Sequence, residues 1–188
     1  MEKVICCPHE YYGSDFLRFI YNESRSQRHN WIYNIIQTGC LSKHEQVFID
    51  RKDWCLCVDK HHGHDVRYLV VFRDQTLRTI RDLRDNHLAM LYNVYATVAA
   101  WLKSRHKQKY YMYFHYMPSV FQLHLHVNSN TQHINWDRAH LLSVVTGNLH
   151  KDSGYYKKAL ILTKMCQTIR RANVHDKLKT KLPSKRCF

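Results

Sequence analysis

An α+β fold, with an antiparallel sheet and helices packed on it, is what this sequence predicts, and three observations predict it. Short apolar segments follow one another with no helix between them: Val47–Ile49, Trp54–Val58 and Val66–Phe72, and later Tyr110–Tyr116 and Phe121–Val127. Between the two groups lies one long stretch with a single apolar stripe, Leu88, Leu91, Tyr95, Val98 and Leu102 recurring at three- and four-residue steps. Strict strand–helix alternation, which marks a parallel sheet, is absent. The 188 residues suffice for one domain with a real core. With 45% apolar residues and only five Gly, the composition is globular, not disordered.

Taken in order, residues 1–13 show no clear period. Asp15–Glu23 reads as a short helix with Phe16, Phe19 and Ile20 on one side, and Trp31–Ile36 as another, stopped by Gly39. Val47–Ile49 and Trp54–Val58 read as strands joined by a polar turn at 50–53. Residues 60–65, Lys-His-His-Gly-His-Asp, form a loop by composition, and the strand Val66–Phe72 follows. Asp82 and Asp85 stand where acidic groups favour the start of the long helix. Tyr110–Tyr116 and Phe121–Val127 make a hairpin-like pair around Pro118. Asn135 is placed to cap a helix over Trp136–Leu149. Ala159–Thr163 is a last strand.

The charge balance is strongly basic, 29 Lys and Arg against 15 Asp and Glu, for a net charge of +14. Such a field attracts nucleotides, nucleic acid or anionic surfaces. The surplus is concentrated in residues 166–188, where Arg170, Arg171, Lys177, Lys179, Lys181, Lys185 and Arg186 oppose only Asp176. No apolar run is long enough to span a bilayer, and the first residues lack the apolar core of a signal peptide. Seven Cys, an odd number with no repeating spacing, point to a reduced protein, cytoplasmic or nuclear.

The chemistry concentrates in the second strand of the central pair. From Phe121 to Val127 apolar and polar residues alternate, so Phe121, Leu123, Leu125 and Val127 face one way and Gln122, His124 and His126 the other. At about 3.3 Å per residue the two imidazoles stand about 6.6 Å apart. Such a pair can ligate a metal, with His115 as a third ligand, or divide nucleophilic and acid/base roles. In a chain with 15 His the pair alone is weak evidence. Cys55 and Cys57 alternate on a strand, but one Cys-x-Cys favours a core strand over a metal site, and the His-rich loop 60–64 favours a solvated loop.

The flanking residues carry more. His115-Tyr-Met-Pro-Ser119 before the histidine pair, and Arg138-Ala-His-Leu-Leu142 after it, resemble the histidine-triad (HIT) domain of the scavenger mRNA-decapping family. Trp31-Ile-Tyr-Asn-Ile-Ile36 and Leu77-Arg-Thr-Ile-Arg-Asp-Leu83 resemble further segments of it in the same order. The resemblance implies a HIT-like catalytic domain over 28–165, between an N-terminal extension, 1–27, and the basic tail, 166–188. It implies hydrolysis of the 5′ cap, m7GpppN, to m7GMP, with no cofactor or metal, by a cytoplasmic or nuclear homodimer acting on cap dinucleotide or capped RNA fragments. By the same resemblance His124 is the nucleophile that forms a covalent intermediate. His126 supplies hydrogen bonds and charge, and His115, Ser119 and Arg138 contact the nucleotide phosphates. Trp31 matches the tryptophan that stacks on the methylated base, and Asp59 and Lys60 resemble a cap-binding pair.

The sequence also departs from the family. Gln122 stands in place of the first triad histidine, and Val120 in place of an aromatic residue. No secure counterpart reads the guanine edge: Glu45 is the nearest and Ser42 the one in strict register. The family's additional N-terminal domain closes over the site, and residues 1–30 are expected to be too few to replace it, so longer capped RNA is expected to be accepted more readily. Two other readings stand beside decapping: a cap- or RNA-binding module weakened by Gln122, and a general HIT hydrolase of dinucleoside polyphosphates.

Overall fold

The computed structural model describes residues 3–6, 20–21, 30–38, 46–59 and 67–164. The expected helix at Asp15–Glu23 falls within that range only at Ile20 and Tyr21, both helical, and the tail lies outside it. The described chain runs β1 (Lys3–Cys6), α1 (Asn30–Thr38), β2 (Val47–Asp50), β3 (Trp54–Val58) and β4 (Tyr68–Phe72). Two 3₁₀ turns, Ile80–Asp82 and Asp85–His87, lead into α2 (Leu88–Lys103). Then come β5 (Tyr111–His115), β6 (His124–Asn128), β7 (Ala139–Leu141), α3 (Leu142–Lys151), α4 (Tyr155–Lys158) and β8 (Ile161–Lys164). Six strands form one sheet in the order β2-β3-β4-β6-β5-β7, and every pairing is antiparallel. This is the α+β class expected.

The alternation of each strand separates the two sheet faces. Trp54, Leu56, Val70, Phe72, Met112, Phe114, Leu125 and Val127 face the main core. Leu91, Val94, Val98 and Leu102 of α2 and Leu142, Val145 and Leu149 of α3 close that core. The α2 stripe differs from expectation at one place: Val94 is buried, while Tyr95 is 57% exposed. The opposite face holds Cys55, Cys57, Leu69 and Val71, covered by Ile32 and Ile35 of α1. No helix among the described residues is long and apolar enough to cross a membrane.

Three segments differ from the sequence reading. The expected helix at Trp136 starts instead at Leu142, because Ala139–Leu141 forms β7. This strand pairs Tyr113 with Leu141 and His115 with Ala139, satisfying the outer edge of β5. Asn135 caps no helix; its carbonyl accepts from the Arg138 N–H at 3.0 Å in a turn. The second central strand begins at His124, not Phe121. Leu123 N–H donates to the Leu77 carbonyl at 2.8 Å, and Leu123 O accepts from Phe72 N–H at 3.2 Å, so this stretch is bonded to the 72–77 loop. Finally, β1 lies where no period was visible and pairs with β8, joining residues 3–6 to 161–164.

Burial holds the imidazoles of His87 and His140 below the usual histidine value of 6.5, and the Arg81 charge pushes His140 further down. In that window the unfolded chain binds more protons than the folded one, so stability present above pH 6.5 is lost as pH falls toward the folded values. We expect the thermal midpoint to drop between pH 7.5 and 5.5. In His140→Gln the drop should be smaller; equal drops would remove His140 from the account.

Candidate active site

The strand registers lay out the second sheet face as a grid. One row runs Cys55, Val71, His124 from β3 through β4 to β6. The next runs Cys57, Leu69, His126, Tyr113 and reaches β5. Beyond them, the Asp59 N–H donates to the Arg67 carbonyl at 2.8 Å, and Tyr111 pairs with Asn128. Because α1 covers the apolar β3–β4 half, the histidines sit beside its edge on the β6–β5 half.

There the imidazoles gather. The His124 and His126 ring centroids are 5.0 Å apart, and those of His115 and His126 4.3 Å. Tyr113 stacks on His126 at 5.3 Å and meets His115 edge-on at 5.3 Å. The structure therefore brings His115, His124 and His126 together. Among the described residues, no three His, Cys, Asp or Glu side chains form a group able to hold a metal ion. Cys55 and Cys57 are buried core residues; burial pushes the Cys55 thiol up to about 11, and Cys57 Sγ donates to the Leu69 carbonyl at 3.6 Å.

His124 is buried, and its Nδ1 lies 2.7 Å from the Gln122 carbonyl oxygen. A carbonyl only accepts, so Nδ1 carries the proton and the neutral ring keeps its lone pair on Nε2. That is the tautomer a nucleophile needs. Gln122 itself is buried and donates through Nε2 to the carbonyls of Phe72, at 2.7 Å, and Asp74, at 3.0 Å. Two acceptors on one nitrogen fix its amide orientation. The side chain thus braces the loop after β4, while the main-chain oxygen orients His124. We expect Gln122→His to change turnover by less than about tenfold, with roughly 1–3 kcal/mol lost in stability because the buried Phe72 carbonyl and the partly buried Asp74 carbonyl lose their donor. Turnover and the melting temperature of that variant check this. A hundredfold gain would show that the triad histidine acts through its side chain.

The other expected residues fall as follows. Trp31 is half-buried on α1 and packs against the apolar cluster beside the histidines. Asp59 is buried at the end of β3. Ser119 is exposed in the loop joining β5 to β6. Arg138 donates through Nη2 to the Met117 carbonyl, and its own carbonyl accepts from Tyr116 N–H at 2.9 Å, so it holds the start of that loop. Lys60, Ser42 and Glu45 lie outside the described residues.

The sequence reading missed Tyr113, Arg67 and Asn128. Tyr113 is buried, which raises its phenol pKa; a hydrogen bond with Asn128 and the charge of Arg67 act downward, and the charge of Asp59 upward. Alternation on β5 was the available signal for Tyr113, and Arg67 carries no motif.

A family model described as scavenger mRNA decapping enzyme C-term binding matches residues 30–141. Proteins named m7GpppX diphosphatase are similar to this chain. The one from Rattus norvegicus is 26% identical over 162 residues, covering 78% of this chain and 48% of that protein. The one from Homo sapiens is 26% identical over 150 residues, covering 72% and 44%. The one from Caenorhabditis elegans is 30% identical over 149 residues, covering 70% and 46%. The chain spans about half the length of these curated relatives. A solved structure titled Hnt3 in complex with DNA and guanosine aligns with a TM-score of 0.47 at 15% identity, over 79% of this chain and 94% of that one.

Proposed function

Since the chain belongs to the scavenger mRNA decapping enzyme C-terminal family, we propose that it is a phosphoanhydride hydrolase that cleaves the 5′ cap, m7GpppN, to m7GMP. The observation that carries this reading is the hydrogen bond from His124 Nδ1 to the Gln122 carbonyl, which leaves Nε2 to attack. Nε2 forms a bond to the phosphorus of the methylated nucleotide while the bond from that phosphorus to the bridging oxygen breaks. The leaving group departs as a nucleoside 5′-diphosphate or an RNA bearing one. Water then hydrolyses the phosphoramidate, releasing m7GMP and regenerating neutral His124. His126, with its ring 5.0 Å from that of His124, offers charge and a proton to the developing phosphate. His115 and Ser119 complete the phosphate cradle, and Arg138 shapes it through the Met117 carbonyl.

Base recognition belongs at the α1 end. Trp31 offers an indole to the electron-poor methylated guanine, a contact of roughly 1–3 kcal/mol. Asp59 and Lys60 belong to the same proposed subsite, and a second subunit and a cytoplasmic or nuclear location to the same proposal.

The test is turnover of m7GpppG beside unmethylated GpppG and a dinucleoside polyphosphate such as ApppA, each before and after exhaustive chelation. We expect m7GMP release with m7GpppG preferred, unchanged by chelation, because an attacking imidazole uses its own lone pair. Equal turnover of all three would favour the general dinucleoside polyphosphate hydrolase. Tight binding of m7GpppG with no product would favour a cap-binding module. Loss on chelation with recovery on zinc addition would overturn the metal-free mechanism.

A further inference from the structure

The grid of the histidine face does not stop at the histidines. Along β5, His115, Tyr113 and Tyr111 share that face, and the step from His115 to Tyr111 covers about 13 Å. Tyr111 meets Trp136 edge-on, with ring centroids 5.9 Å apart, and Trp136 is 50% exposed. Lys109 Nζ stands 5.3 Å from the Tyr111 ring centroid. The stretch entering β5 carries Lys103, Arg105, Lys107 and Lys109, all exposed, with no Asp or Glu among residues 103–112. Beside it, toward α2 and α3, opens a cavity of about 520 Å³ that combines Lys103, Lys107 and Lys109 with Leu102, Met112 and Leu142 of the main-core side. Neither the capping chemistry nor the core uses Trp136, which an edge turn holds half in solvent.

An exposed indole packed on a half-buried phenol, with cations beside them, on a path leading away from a phosphate-cleaving centre, matches one chemistry. Unpaired bases stack on aromatic faces, and a phosphodiester backbone is neutralised by Lys and Arg. Trp31 and Asp59 lie toward the β3 and α1 side of the histidines, whereas Tyr111 and Trp136 lie toward the β5 side. A substrate with its methylated base at the first end sends the rest of its chain toward the second.

We propose that Trp136, Tyr111 and the Lys103–Lys109 stretch bind single-stranded RNA, namely the nucleotides that follow the cap. This rests on the cap-cleaving reading for its direction, and it extends that reading from the cap to the body of the substrate. Trp136 and Tyr111 stack bases; Lys107 and Lys109 contact phosphates.

The experiment uses the full chain and a fluorescently labelled, uncapped single-stranded RNA of about ten nucleotides, with affinity measured across a salt series, alongside m7GpppG turnover. We expect Trp136→Ala to weaken RNA binding roughly tenfold and Trp136→Phe to restore most of it. Lys107→Ala/Lys109→Ala should reduce the log–log salt slope by roughly 1.4, the value for two single-strand phosphate contacts. Both variants should turn over m7GpppG within about twofold of the wild type. RNA binding that ignores Trp136→Ala, or duplex RNA bound as tightly as single strands, overturns the proposal. Should the wild type leave m7GpppG intact while Trp136→Ala still weakens RNA binding, the RNA site stands and the cap-cleaving reading falls.

Discussion

Replacing His124 by alanine is expected to lower m7GpppG turnover by roughly a thousandfold or more, because removing a covalent nucleophile removes the reaction path itself. The side chain is buried and held from Nδ1 by a main-chain oxygen. His126 is the nearest imidazole on its own strand, but it occupies the next row of the face, opposite Leu69 rather than Val71. His124→Asn keeps a planar donor for the Gln122 carbonyl, so it should retain cap binding while losing turnover. Parallel equilibrium binding and product assays separate the two effects. Quenching with labelled substrate in alkaline denaturant, where a histidine phosphoramidate survives, should trap that intermediate in the wild type and in neither variant. Alanine at 124 with full activity would remove this residue from the chemistry.

What made His124 legible was periodicity. Leu125 and Val127 must enter the core, which forces His124 and His126 onto the opposite face whatever lies there. The same reasoning located α2, whose apolar period is set by burial on a single side, whereas β3 is apolar on both faces and was legible as a short apolar run. It failed where local pattern and tertiary bonding compete. Phe121 and Leu123 continue the alternation in sequence and are buried, yet the Gln122 amide and the Leu123 N–H bind the loop after β4, so the ladder begins only at His124. β7 has three half-buried residues and no period; only the unpaired edge of β5 calls for a strand there. The register that puts Tyr113 in one row with His126 and Leu69, within reach of the Arg67 and Asp59 charges, depends on pairing between distant strands, which no local window contains.

The second large effect is expected at Arg81, within the segment that carried part of the family resemblance yet outside the chemistry. Its side chain is fully buried. Nε donates to the Tyr116 hydroxyl at 2.5 Å, and Nη1 donates to the carbonyls of Tyr156, at 2.8 Å, and Ala159, at 2.9 Å. The guanidinium carbon also lies 4.9 Å from the Tyr116 ring centroid. One side chain therefore joins the 3₁₀ turn before α2, the residue that follows β5, and the end of α4. Arg81→Met matches the length of the stem and removes every donor, leaving the buried Tyr156 carbonyl and the partly buried Ala159 carbonyl without the guanidinium. Each such loss costs about 1–3 kcal/mol, and the set about 3–5 kcal/mol. For a chain of this size that lowers the melting temperature by about 10 °C. Arg81→Lys supplies a point charge without the planar fork and should recover only part of the loss. Arg51 is the control: its side chain is exposed and, among the described residues, donates to the neighbouring Asp50 carbonyl at 3.2 Å, so Arg51→Met should move the midpoint by about 1–2 °C at most. Because Tyr116 directly follows His115, Arg81→Met should also raise KM for m7GpppG at temperatures where the chain is still folded. A melting temperature within about 2 °C of the wild type would mean that other donors reach those carbonyls when the guanidinium is gone.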